Sequence, residues 1–404
     1  MELLFAHDHR FSRAPDGEVL TDNENGSGYP FFQRYLGVFD RVSVIGRIGE
    51  ATCRRGYNVT GAGVGFLPLP FFHGPSQYLR QYFPLRKRLE EIVASKAGAA
   101  FIVRSPGTIS SMLIGILKRR GIPFGMEVVS DPYDVFAPGA IRTPLRPLFR
   151  RWFAAMLRGQ CADADVISYV TERVLQARYP AVRAIFTTHY SSICLGDEAY
   201  VEAPRTITGK QRHVLVSVGT MDQMYKAQDV LVESVGHCIR QGLDLRLALV
   251  GDGILRGYLQ RKVASLDLQE RVIFVGRLPS GMAVREQLDA ADLFVLPSKG
   301  EGLPRAMIEA MARALPCLGS TASGIPELLP ADDLVPPGDS LALAAKIRDV
   351  LAAPDRMTGM SARNLERSKS YRNELLQGRR VEFYQKVKEI TQAHRSAEAL
   401  PCPR

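Results

Sequence analysis

The feature that most constrains this chain is a steady alternation of short apolar runs with amphipathic or polar segments. In the N-terminal half the runs fall at residues 3–6, 42–48, 64–69, 99–104, 124–129, 166–170 and 184–188. Runs that short, and apolar throughout, fit strands buried on both faces. Helical patterns separate several of them; residues 109–120 place Met112, Leu113, Ile116 and Leu117 on one stripe. Strand followed by helix, repeated, predicts an α/β fold with a parallel sheet covered on both sides.

A polar stretch at 196–210, with Pro204, Gly209 and no clear period, interrupts the pattern. It predicts a boundary between a first domain, 1–200, and a second, 210–370. The alternation then resumes, with strands expected at 214–218, 245–250, 272–275 and 293–296. Helices are expected at 228–239, at 255–266 and from about Pro304 onward. Val230, Leu231, Ser234 and Val235 form the stripe of a helix packed on a sheet. A charged tail helix at 374–396, carrying Leu376, Val381, Tyr384 and Val387, is expected to pack back toward the first domain. A chain of 404 residues exceeds one ordinary core, so two Rossmann-like, doubly wound domains in tandem are the expected architecture. Open parallel sheets bind ligands at the carboxyl ends of their strands. Two such edges should face each other across one cleft.

Composition excludes several classes. With 46% hydrophobic and 23% charged residues, the chain is not intrinsically disordered. No apolar stretch reaches the length of about 18 residues that a spanning helix needs. The start, Met1-Glu2-Leu3-Leu4-Phe5, lacks a basic segment before its apolar run, so no secretory signal is read and a cytoplasmic location is expected. Six cysteines (Cys53, Cys161, Cys194, Cys238, Cys317, Cys402), none two apart, argue against a zinc site or a disulfide framework. A net charge of +10 favours anionic partners without choosing among nucleic acid, anionic lipid and phosphorylated substrates.

Residues 298–309 carry the chemistry: Ser298-Lys299-Gly300-Glu301-Gly302-Leu303-Pro304-Arg305-Ala306-Met307-Ile308-Glu309. Here a strand should end, a glycine-flanked loop turn, and a helix open with Pro304 near its first position. Such a helix end offers bare N–H donors and partial positive charge, which suits a diphosphate. Glu301 and Glu309 stand a little over two helical turns apart, so they could flank one ligand, and carboxylates accept hydrogen bonds from sugar hydroxyls. A helix-stabilising Glu301 and a surface Glu309 would fit the spacing equally well.

These residues resemble the retaining GT-B glycosyltransferases of family GT4, whose signature is two glutamates separated by seven residues. Leu296-Pro297-Ser298, Glu309-Ala310-Met311-Ala312 and Ser323-Gly324-Ile325-Pro326-Glu327 match as well, as do Leu249-Val250-Gly251-Asp252-Gly253 and Val272-Ile273-Phe274-Val275-Gly276. The resemblance runs over about residues 213–350 and is weak in the N-terminal half. It implies that Glu309 holds the nucleotide ribose and Glu301 the donor sugar. Backbone around Gly302, Leu303, Pro304 and Arg305 would cradle sugar and diphosphate. The family's phosphate lysine is present as Lys226, but Thr220 replaces its arginine, with Arg277 a candidate substitute, and Ala227 replaces a glycine. A sugar-contacting His of the family is absent near Ser130-Asp131, leaving Asp131 as the candidate there. The resemblance further implies retention of configuration with the departing phosphate taking the acceptor proton, and no metal or other cofactor.

Two lookalikes carry less. Asp163-Ala164-Asp165 resembles a metal motif, but a polar residue before a buried strand is ordinary. Gly251-x-Gly253 lacks the third glycine of a dinucleotide fingerprint, where Arg256 stands. On the acceptor side, the Asn25-Gly26-Ser27-Gly28 loop would allow close ligand approach, and Asp8, His9, Arg10 and Glu127 sit at expected strand ends. Residues 142–158 interleave Arg142, Arg146, Arg150, Arg151 and Arg158 with Leu148, Phe149, Trp152, Phe153, Met156 and Leu157. That pattern suits a helix on an anionic membrane, with Lys118-Arg119-Arg120 adding to it, or a core helix with a solvated basic face.

The expectation is a hexosyl transferase using a UDP-sugar on a glycan or lipid-linked acceptor in bacterial polysaccharide assembly. A small soluble acceptor is the alternative. A sugar-nucleotide epimerase fits the segment around Glu301 and Glu309 less well. An inactive sugar-nucleotide- or polyanion-binding protein is the alternative of another class; no nucleic-acid-binding module is legible.

Overall fold

The computed structural model describes residues 1–136 and 144–398. Arg142, Thr143 and Cys402 lie outside the described residues. The N-terminal sheet contains β1 (Glu2–Arg13), β2 (Val19–Thr21), β3 (Arg41–Glu50), β4 (Tyr57–Asn58), β5 (Val64–Leu69), β6 (Ala100–Ser105), β7 (Gly125–Val128), β8 (Val166–Tyr169) and β9 (Phe186–His189). Its parallel body runs β5-β3-β1-β6-β7-β8-β9, while β2 adds antiparallel to the far end of β1 and β4 antiparallel to β2. The C-terminal sheet contains β10 (Arg212–Val218), β11 (Asp244–Val250), β12 (Val272–Gly276), β13 (Leu293–Leu296), β14 (Cys317–Ser320) and β15 (Leu334–Val335). It is parallel throughout, in the order β12-β11-β10-β13-β14-β15.

β1 departs most from expectation. It runs through His7, Asp8, His9 and Arg10 to Arg13, and its pairing with β3 slips between Ala6 and Arg10. The slip falls where the buried run ends, so polar side chains leave the sheet at its carboxyl edge.

Two apolar clusters hold the molecule. One runs from the N-terminal sheet, through Phe5, Val44, Ile102 and Ile167, into Leu296, Met307, Ile308 and Ile325 of the second half. The other packs Leu215, Leu231, Leu247, Val295 and Ile347. The first cluster therefore bridges the halves. The helix Asn373–Glu398 strengthens the bridge by returning to the N-terminal sheet. Tyr384 packs on Tyr35 with ring centroids 4.4 Å apart, and Arg380 Nη2 donates to the Ser191 and Ile193 carbonyls at 2.8 and 2.6 Å.

One carboxylate ties the halves polar to polar. Glu327, buried, accepts from the backbone N–H groups of Glu172, Arg173 and Val174 at 2.6, 2.8 and 2.6 Å. These are the free donors at the start of the helix Val174–Arg178, where negative charge is favoured. Glu327→Ala leaves those donors without an acceptor. The expected loss is about 3 kcal/mol of stability, the scale of hydrogen bonds to a charged group. It is read as the shift of the denaturant midpoint, and a shift worth less than about 1 kcal/mol would show that the clamp is dispensable.

Candidate active site

Between the two sheets lies an open cavity of about 280 Å³, near the lower end of the size range of ligand pockets. The N-terminal half lines it with His7, His9, Ser27, Arg104, Ser130 and Ser191, among others. The C-terminal half contributes Tyr225, Glu301, Gly302, Leu303 and Arg305.

The C-terminal wall grows from the end of β13. After Leu296 the chain turns through Gly300 and Gly302 into the helix Arg305–Ala312, with Pro304 as its extended first cap. A Cβ on Gly302 would meet the Val129 carbonyl oxygen at 2.2 Å, so only glycine lets this loop touch the N-terminal half. Ser323 fixes it further, its hydroxyl accepting from Glu301 N at 3.0 Å and donating to Asp134 Oδ2 at 2.5 Å. No side chain caps the Arg305–Ala312 helix. Its first-turn donors open beside Leu303 and Arg305, toward the cavity.

Lys226 reaches this loop from the end of β10. Its Nζ donates to Glu301 Oε1 at 2.6 Å, and Ser298 Oγ donates to the same oxygen at 2.8 Å. Burial pulls the Lys226 pKa down, but Glu301 outweighs it and the pKa ends raised. The ammonium therefore stays charged. Ala227, beside it, holds φ of 55°, a left-handed conformation that a glycine adopts without strain.

Glu309 sits a little over one turn into the helix and is not among the cavity-lining residues. It forms no ion pair among the described residues. Burial raises its pKa, opposed by Arg305 and Arg285. The structure thus brings Glu301, Gly302, Leu303, Arg305 and Lys226 together, with Pro304 between them and Glu309 behind.

Other expected residues fall elsewhere. Asp131 does not face the cleft: its side chain is 0% exposed, ion-paired to Arg178, and caps Tyr133 N at 2.8 Å. Burial raises its pKa, with the Tyr179 hydroxyl bond opposing. Asp8 likewise turns inward, where its Oδ2 accepts from Thr108 Oγ1 and Ile109 N at 2.9 and 3.2 Å. Glu127 is buried beneath the cleft, bonded to the hydroxyls of Tyr35 and Tyr190 at 2.8 and 2.9 Å. Arg10 contacts His73 at the surface. His9 does line the cavity, bonded to Thr21 and paired with Asp22.

Thr220 spends its hydroxyl on Asp222 at 2.5 Å. Arg277 is exposed at the end of β12, and its charge acts on Asp22 of the N-terminal half. Gly28 separates two short helices, while its neighbours Gly26 and Ser27 line the cavity. Asp163 and Asp165 point to separate partners, Lys118 and Phe124 N. Among the described residues no group of three metal-ligating side chains converges.

Sequence reasoning missed His7, Arg104 and Tyr225. Arg104 carried a readable signal, a lone cation ending a buried strand. His7 is half-buried, packed against Phe5, Phe31 and Phe32. Burial, then Arg104, His9 and Arg34, hold its pKa well below the usual value, so it is neutral at pH 7.

Two Rossmann-like halves around such a cavity, with a glycine loop and a bare helix end at one wall, define a GT-B fold. Comparison with known proteins agrees. Residues 212–353 match the family described as glycosyl transferases group 1. Protein CapJ of Staphylococcus aureus is 23% identical over 87% of this chain and 87% of its own length. The amylovoran biosynthesis glycosyltransferase AmsK of Erwinia amylovora is 38% identical, over 30% of this chain and 31% of its own. The structure of Anabaena HepE in complex with UDP-glucose superposes with a TM-score of 0.62 at 16% identity, covering 97% of this chain and 100% of that one. The chain is a glycosyltransferase with the GT-B fold, and its residues 212–353 match the group 1 family. No helix among the described residues is long and apolar enough to cross a membrane.

Proposed function

We propose that the chain is a retaining hexosyl transferase that takes a UDP-sugar and builds a bacterial polysaccharide on a glycan or lipid-linked acceptor. The observation that carries it is the convergence of Glu301, Arg305 and the helix end at one wall of the cavity, with Lys226 bonded to Glu301. Lys226, Arg305 and the helix N-terminus stabilise charge developing on the departing diphosphate. Glu301, its Oε1 held by Lys226 and Ser298, offers Oε2 to donor-sugar hydroxyls, and Glu309 takes the ribose. The acceptor enters from the His9 and Ser191 side and attacks the face the diphosphate leaves, which receives the acceptor proton. This assigns leaving-group charge to side chains and needs no metal. AmsK, named for polysaccharide biosynthesis, and HepE, solved with UDP-glucose, support the substrate classes. Proton NMR of the product tests the stereochemistry: an α-linked product from an α-linked donor is expected, and a β-linked one would overturn retention.

An exposed apolar surface favours docking on an anionic membrane. In the helix Arg146–Asp163, Leu148 is 61% and Trp152 56% exposed beside exposed Arg151. At the start of the helix Gly74–Ser95, Leu79 and Phe83 are 70% and 76% exposed near Arg80. Both helices follow carboxyl ends of parallel strands, where an acceptor held in a bilayer would arrive. The protein is expected to sediment with phosphatidylglycerol vesicles at low salt, and Trp152→Ser with Phe83→Ser to lose most of that binding. No sedimentation of the parent would remove the membrane from the proposal.

A further inference from the structure

The floor of the cavity on the N-terminal side holds more positive charge than the protein neutralises. Arg104, at the end of β6, lies 3.4 Å from Glu127 Oε2 and over the Phe31 ring at 4.8 Å. Arg34 lies over the same ring at 3.8 Å, contacts the Tyr35 hydroxyl at 3.1 Å, and forms no ion pair among the described residues. Its buried Nε has no hydrogen-bond partner. Glu127 is the carboxylate between them, and its Oε1 is already taken by two tyrosine hydroxyls. Two guanidiniums thus share one carboxylate in a layer where Arg104 and Glu127 are 11% and 3% exposed. An uncompensated cation in such a layer is costly unless an anion joins it.

The direction in which that anion must come is fixed. Arg104 opens onto the cavity, flanked there by Ser130, Ser191 and Ser192. The field is strong enough to help keep His7 neutral. On the opposite wall Lys226 already has Glu301, and the donor diphosphate belongs to that wall. A planar guanidinium ringed by serines matches an oxyanion, accepting from two parallel N–H donors.

We propose that Arg104, backed by Arg34, is a subsite for a carboxylate or phosphate carried by the acceptor, so that the acceptor is acidic. This rests on the transferase reading, which puts the acceptor on the N-terminal side. Arg104 provides the contact and Arg34 the surrounding charge; the neutral His7 beside them donates or accepts a hydrogen bond without adding charge.

The test is calorimetric titration of the full chain with glucose 6-phosphate and with glucuronate, glucose being the neutral control. UDP is titrated separately. At least one anionic sugar should bind well above glucose, without displacing UDP, and preference for the phosphate or the carboxylate names the group. Arg104→Gln should weaken that binding on the order of 10- to 100-fold while its UDP affinity stays that of the parent. Retained UDP affinity also shows that the variant is folded; should Arg104→Gln not fold, Arg104→Lys, which keeps charge but not the fork, should bind the anion several-fold more weakly. Equal anion binding by parent and variant, displacement of UDP by the anion, or no anion binding would overturn the subsite. Loss of UDP binding by the parent itself would instead count against the donor site.

Discussion

Lys226→Ala should lower kcat by about 100- to 1,000-fold while the protein remains folded, the scale of removing one preorganised charge from a transition state. The lysine is 15% exposed and held by Glu301 at 2.6 Å, so its position is set before any ligand arrives. Its raised pKa keeps it charged throughout the neutral range. Thr220 is committed to Asp222 and Arg277 is exposed at the end of β12, so the proposed stabilisation of the leaving group falls on Lys226 and Arg305. KM for the donor should change far less than kcat, because charge on the leaving phosphate grows mainly in the transition state. Steady-state kinetics on the two proteins reads this directly. A loss confined to KM would make Lys226 a binding residue alone.

Glu309→Gln should separate stability from function. Burial raises the Glu309 pKa above its ordinary 4.5. The folded chain therefore holds that proton more tightly than the unfolded chain does. Stability from this group is fully present below about pH 4.5 and is lost as pH rises through the folded value. At pH 7 the half-buried carboxylate is a cost, and the neutral amide removes it. Glu309→Gln should be at least as stable as the parent at pH 7, with a flatter stability profile above pH 4.5. It should also bind UDP roughly 100-fold more weakly, through hydrogen bonds between ribose hydroxyls and a charged acceptor. Chemical denaturation across pH, paired with UDP titration, measures both. A destabilised variant with unchanged UDP affinity would make Glu309 structural.

Much of this was legible from residue order alone. Strands buried on both faces declare themselves by unbroken apolar runs, as at residues 293–296, which form β13 as expected. The Glu301–Glu309 segment was legible because loop, helix end and carboxylates are adjacent in sequence. What failed had its cause in distant contacts. Asp131 reads as a cleft residue until Arg178 and Tyr179, about 48 positions away, claim its carboxylate. The second half of β1 is polar, and only pairing with β3 and β2 makes it a strand. The first turns of Gly74–Ser95 are exposed on most sides and Pro84 lies within it, so no apolar stripe marks its start. Glu327 belongs to a motif readable in sequence, but its partners lie about 155 residues earlier.

The most direct measurement is a thermal-shift titration with UDP, GDP, ADP and TDP, with Glu309→Ala beside the parent. A ligand that binds only the folded chain raises the midpoint by mass action. One nucleoside diphosphate, UDP on this reading, should stabilise the parent and lose most of its effect in the variant. No stabilisation by any of the four would contradict a nucleotide-sugar site at the Arg305–Ala312 helix, and with it the transferase mechanism built there.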